Sequence, residues 1–192
     1  MIVDSRADPC PCSGTMASPE FASFWTLHFA DTPPLGHRLR LRDASRWLRI
    51  HALPGGERYA SSDAERDQIL ARLNGAATAV LGDESRCWLV APDHDGGLRA
   101  RVPHVPAMTE HEDVESAVVF LVAPVIWRPG AFDELLGAVA DDRCRALWIQ
   151  RTTAEVFAPY DGGADLVLAT PERRDALRDA LADWVSPRVD GL

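Results

Sequence analysis

A run of arginines, Arg38, Arg40, Arg42, Arg46, Arg49 and then Arg58, is the densest potential chemistry in this chain. Between residues 38 and 49 a single opposing charge, Asp43, interrupts it. Each guanidinium is a planar fork of donors matched to carboxylate or phosphate. If the segment is extended, Arg38, Arg40 and Arg42 share one face. The patch then suits a phosphate, a carboxylate or an acidic partner. The plainer alternative is a solvated face that pairs with the many Asp side chains.

Three other constellations carry titratable groups. Arg49 and His51 point the same way on a strand, and the Pro54-Gly55-Gly56 turn can bring Arg58 and Tyr59 close. Guanidinium, imidazole and phenol are anion-holding, acid–base and positioning groups. The alternative is a polar sheet face with His51 half buried. Tyr160-Asp161-Gly162-Gly163-Ala164-Asp165 sets two carboxylates beside a flexible turn. They could bind a divalent cation or act as a base, but a cation cage needs more oxygen ligands than this. A tight hairpin explains the glycines equally well. The stretch 92–114 holds Asp93, His94, Asp95, His104, Glu110, His111, Glu112 and Asp113, in no helix-borne ligand spacing. We read it as a long polar loop without a metal. Cys10-Pro-Cys12 is half a metal site at most, and Cys87 and Cys144 read as small buried hydrophobes. No metal or cofactor is expected.

These residues need a scaffold. Residues 1–17 lack periodicity and read as a flexible tail, followed by one domain over 18–192. Ser18-Pro19-Glu20 opens a helix to about residue 30, with Phe21, Phe24, Trp25 and His28 on one face; Pro33-Pro34 stops it. Residues 46–53 alternate in the strand period. Ser62-Asp63-Ala64-Glu65 is a capping box for a helix that Gly82 closes. Strands follow at 87–91 and 117–125, the second an apolar run that reads as central and buried on both faces. A helix from Pro129 to about 140 precedes strands at 144–150, 155–158 and 165–169. The last two join around Asp161-Gly162-Gly163. Thr170-Pro171 caps a final helix to about 184. The pattern predicts an α+β fold: a mixed, largely antiparallel sheet with helices packed on it.

Composition narrows the function. The chain has 192 residues, 46% of them hydrophobic, and a net charge of −9, the wrong sign for a general nucleic-acid binder. All 20 basic residues are Arg, which removes every mechanism that needs a lysine amine. There is no phosphate loop, no dinucleotide-binding glycine motif and no nucleophile elbow. The start resembles no secretory signal and no apolar run is long enough to span a membrane, so a cytoplasmic location is expected.

Several strings together resemble a known family: Phe24-Trp25, Pro33-Pro34-Leu35-Gly36, Arg46-Trp47-x-Arg49-Ile50-His51-x-Leu53-Pro54, Arg58-Tyr59, Leu73-Asn74, the Tyr160-to-Asp165 segment, Asp183-Trp184 and Gly191-Leu192. They resemble an uncharacterised bacterial family of small cytosolic proteins, a domain of unknown function, in patches over roughly 21–192. The Tyr160-to-Asp165 segment also looks like the Asp-Asp-Arg-Gly-x-Asp motif of a broader bacterial domain of unknown function. Ala52 and Glu57 stand where the family pattern has Ser and Lys, which weakens a basic anion site at 57–58. The resemblance implies no activity.

Two readings follow. The first is a non-enzymatic cytosolic protein-binding chain, an accessory or immunity-type partner that covers a basic surface on another protein. Its anion- or partner-binding residues are Arg46, Trp47, Arg49, Arg58, Tyr59 and Tyr160, and no nucleic acid or membrane is involved. The second is a small hydrolase or transferase of an anionic substrate, with His51, Asp161 and Asp165 as catalytic candidates. A third, peptide addition at a sheet edge, is also open. The first two need the strand around Trp47 and the turn after Tyr160 to be neighbours.

Overall fold

The computed structural model describes residues 18–30, 32–93, 103–111 and 117–185. In chain order the elements are α1 (Pro19–Phe29), α2 (Gly36–Arg42), β1 (Trp47–His51), α3 (Asp63–Leu81), β2 (Ser85–Pro92), β3 (Val105–His111), β4 (Ala117–Trp127), α4 (Asp133–Ala140), β5 (Leu147–Gln150), β6 (Val156–Tyr160), β7 (Gly163–Val167) and α5 (Pro171–Ala180). The seven strands form one sheet, ordered β1-β7-β6-β5-β2-β4-β3. Every strand pair is antiparallel, so the sheet contains no parallel component. None of the described helices is long and apolar enough to cross a membrane.

Helix starts follow local chemistry. Ser18 Oγ accepts from the Phe21 amide at 3.4 Å, with Pro19 in the first helical position. Ser62 Oγ accepts from the Glu65 amide at 3.3 Å. The Glu65 carboxylate reaches one residue further back than a standard capping box, taking the Ser61 amide and hydroxyl at 2.6 and 2.7 Å. The fourth helix begins at Asp133, not Pro129. Asn74 explains this, because its side chain accepts from the Gly130 amide and donates to Asp133, holding 129–132 as a turn. The fifth helix ends at Ala180, and a separate turn spans Ala182–Trp184.

Two elements depart from the sequence reading. Arg38, Arg40 and Arg42 lie on the helix α2, not on an extended segment. The stretch read as one long loop contains β3, which pairs with β4 through a bulge between Pro106 and Met108. Residues 94–102 and 112–114 of the polar stretch, which include His94 and Asp95, lie outside the described residues, as do the tail 1–17 and Cys10-Pro-Cys12. β4 is buried on both faces only in part: Phe120–Ala123 are buried, while Ile126 is 41% exposed.

Helices cover both sheet faces. On one, α3, α4 and α5 pack against Leu48, Ile50, Leu89, Trp148, Phe157 and Leu166. On the other, α1 and α2 pack against Trp88, Val90, Phe120, Ile149, Ala158 and Val167. Strand alternation puts Trp47, Arg49 and His51 on the α1/α2 face, opposite Leu48 and Ile50.

Candidate functional site

The pairing of β1 with β7 brings the two candidate segments together. Arg49 stands directly opposite Asp165, and His51 opposite Gly163. The β6–β7 hairpin turns through Asp161-Gly162, with Tyr160 facing Gly163. Gly163 tolerates no side chain, because a Cβ there would sit 1.9 Å from the Ile50 carbonyl oxygen of β1. The missing side chain lets the turn lie against β1, and the Ala52 amide then donates to the Gly162 carbonyl at 3.0 Å.

At the centre is a buried ion pair. Arg49 Nε and Nη2 donate to the two Asp165 oxygens at 2.8 and 3.0 Å, and the Trp47 indole N–H donates to Asp165 Oδ1 at 2.9 Å. Asp165 is 3% exposed. Burial opposes the Arg49 charge, but the Asp165 hydrogen bonds and charge outweigh it and raise the guanidinium above its ordinary value. Gly36, at the start of α2, packs over this pair, where a Cβ would sit 3.0 Å from the Ala158 Cβ and 3.5 Å from Asp165 Oδ2.

Around the pair, guanidinium groups and rings alternate. The Arg40 guanidinium carbon lies 5.7 Å from the Trp47 ring centre, and that of Arg49 lies 5.5 Å from the same ring. Arg49 lies 4.8 Å from the Tyr160 ring. Such contacts contribute about 0.5–2 kcal/mol each, more as water is excluded. None of these ring contacts consumes a guanidinium hydrogen bond, and Arg49 spends Nε and Nη2 on Asp165. Arg40 has no carboxylate partner among the described residues. Burial pushes the Tyr160 phenol up to about 12, against the pull of Arg49.

The ladder separates two concavities at one end of the sheet, and Arg49, Arg58 and Tyr160 line both. The larger, about 770 Å³, also has Arg40, His51, the Gly55-Gly56 turn and Trp184 in its wall, and Asp183 is the one carboxylate there. The smaller, about 260 Å³, adds His37, Arg145, Asp142, Asp161 and Asp165. Both imidazoles are held below their ordinary value, by burial first and by neighbouring arginines next.

The family model of the domain of unknown function DUF3885 matches residues 35–189. The chain belongs to the DUF3885 family. No curated protein and no solved structure matches it. Every residue lining the two concavities except Pro34 falls inside the DUF3885 segment, and α1 falls outside it.

The candidate residues are not all equivalent. Trp47, Arg49, Arg58, Tyr160 and Asp165 converge. Arg58 Nη1 and the Tyr59 hydroxyl both donate to Asp161 Oδ2, at 3.3 and 3.0 Å. His51 lines only the larger concavity and Asp161 only the smaller. Arg46 lines neither; it pairs with Asp43 at 2.9 Å and donates to the Ala169 carbonyl. Asp165 has both oxygens occupied by Arg49 and Trp47, which suits a positioning group better than a base. Sequence reasoning did not single out His37 or Arg145, and it had Trp184 in a family string without assigning it to the site. Pro33-Pro34-Leu35-Gly36 was the available signal for His37, since a chain restart after two prolines places the next residues at a helix entrance. Among the described residues, no group of three His, Cys, Asp or Glu side chains could hold a metal.

Proposed function

We propose that this member of the DUF3885 family is a binding protein, and that it takes an anionic group in the larger concavity. The observation that carries this reading is the Arg40–Trp47–Arg49–Tyr160 ladder. It fixes a guanidinium in the wall by packing, hydrogen bonds and charge together, so its remaining donors are ordered before a ligand arrives. Arg40 adds a guanidinium with no carboxylate of its own, and Arg58 closes the far side. Binding without chemistry is favoured because, among the described residues, neither the His37 nor the His51 imidazole has a carboxylate hydrogen-bonded to it, and Asp165 is spent on Arg49. The buried thiol of Cys87 fits a reducing compartment, and the cytoplasm is our assignment.

Titration calorimetry at low salt with acetate, glutarate and inorganic phosphate tests the reading. Binding of at least one anion is expected, weakened about tenfold by Arg40→Ala, a loss typical of one charge-assisted hydrogen bond. Arg40→Ala should leave the chain folded, with a stability loss of about 0.5–2 kcal/mol from its Trp47 contact. Absence of heat with every anion, or an affinity indifferent to both Arg40→Ala and Arg58→Ala, would reject the reading.

A further inference from the structure

We infer that the anion is carried on an acidic polypeptide segment, and that the outer face of α2 holds the residues flanking it. This rests on the cleft taking an anion, and it names the partner class.

Most described arginines elsewhere are already matched. Arg66 and Arg143 pair with Asp141, Arg128 with Glu84, Arg151 with Glu20 and Arg178 with Asp175. Outside α2, Arg72 spends itself on the His51 carbonyl and the Trp184 ring, and Arg86 has no carboxylate partner among the described residues. On α2, by contrast, Arg38, Arg40 and Arg42 all lack a carboxylate partner among the described residues. One short helix thus concentrates unneutralised charge on a chain of net −9.

The helix divides these groups by direction. Leu39 is buried, and Arg40 turns toward Trp47 and the cleft. Arg38 and Arg42, one helical turn apart, share the outer side and are exposed. Leu41, between them in sequence, is 71% exposed, and Tyr59, beside the Asp161 rim, is 55% exposed. A free small anion would engage Arg40, Arg49 and Arg58 and leave Arg38, Leu41, Arg42 and Tyr59 unused. A polypeptide with several carboxylates and an apolar side chain would use them all, and arginine mixed with tyrosine is typical of protein interfaces. The cationic strip is narrow and the surrounding chain acidic, which disfavours a nucleic acid with its continuous charge.

The test uses the full chain and fluorescence anisotropy with a labelled decapeptide of mixed Glu, Asp and Leu. Glutarate and a single-stranded decanucleotide serve as competitors. The peptide should bind more tightly than glutarate, and more weakly as salt rises. The double variant Arg38→Glu/Arg42→Glu should lower peptide affinity about tenfold or more. It should leave glutarate binding by calorimetry unchanged. Arg128→Glu, a reversal at an exposed site just after β4 at the opposite end of the sheet, should change neither. Matching circular dichroism and melting temperature show that the double variant is folded. Glutarate binding with a peptide no tighter overturns this inference and leaves the cleft reading standing. So does a peptide affinity indifferent to the double reversal, or preference for the oligonucleotide. If neither glutarate nor peptide binds, both readings fall.

Discussion

Replacing Asp165 by Ala should be the most damaging side-chain truncation at the site. The carboxylate is 3% exposed and accepts from Arg49 at 2.8 and 3.0 Å and from Trp47 at 2.9 Å. Its removal leaves an indole N–H and a guanidinium without their acceptor. Breaking a buried pair by removing one partner costs about 3–5 kcal/mol. The Arg49 side chain is 16% exposed and keeps its contacts with Trp47 and Tyr160, so the lower end, about 3 kcal/mol, is expected here. For a domain of this size, that corresponds to a melting temperature lowered by about 6–12 °C. Urea unfolding followed by tryptophan fluorescence, with a parallel thermal melt, measures it. The double variant Arg49→Met/Asp165→Leu removes both charges and should return to within about 1 kcal/mol of the parent, because no uncompensated charge stays buried. That chain should be folded and defective in anion binding. An Asp165→Ala variant within about 1 kcal/mol of the parent, or a double variant no better than the single one, would refute the assignment of this pair as the keystone of the site.

Gly163→Ala should prevent β1 from closing on β7, since its Cβ would collide with the Ile50 carbonyl, and a loss of about 3 kcal/mol or more in urea unfolding is expected. Gly55→Ala meets only open space at φ +72° and should cost about 1–2 kcal/mol, so equal effects would count against the close-approach argument. His37 and His51 both have folded values below the ordinary 6.5. Their contribution is fully present above pH 6.5 and is lost as pH falls through the folded values, because the unfolded chain takes up protons first. The urea midpoint should therefore fall over that window and flatten in His51→Asn, while anion affinity rises as the imidazoles gain charge. Tyr160→Phe should preserve anion affinity and stability within about 0.5 kcal/mol, because the ring face meets Arg49 and the hydroxyl has no hydrogen-bond partner among the described residues; Tyr160→Leu should lose about 0.5–2 kcal/mol.

How far the sequence spoke depended on the range of the interaction. Caps are local, and Ser18, Ser62, Thr170 and Gly82 stand where their chemistry puts them. The strand around Trp47 was legible because alternation survives even when one face is polar. By contrast, α2 has only seven residues, no side-chain cap at Leu35, and arginines at every second position that mimic a strand. It becomes a helix because Leu39 finds the sheet face, a long-range fact. β3 was hidden by Pro106 and polar surroundings, and its pairing with β4 is likewise non-local. The ends of β6 and β7 moved because the Asp161-Gly162 turn fixes the register of their hairpin. At the site, residue types were readable and their roles were not. Asp165 looked like a free carboxylate until its register opposite Arg49 was known.

The first helix has a practical meaning for anyone cutting the gene. It precedes the family segment, yet Phe21, Trp25 and Phe29 are 0–2% exposed, and Phe21 meets Trp88 edge-on at 5.7 Å. A chain trimmed to 35–189 would bare Trp88, Phe120 and their neighbours to water, so it should express as sticky or insoluble material. Any family member that began at the family segment would have to roof that side of its sheet with something else.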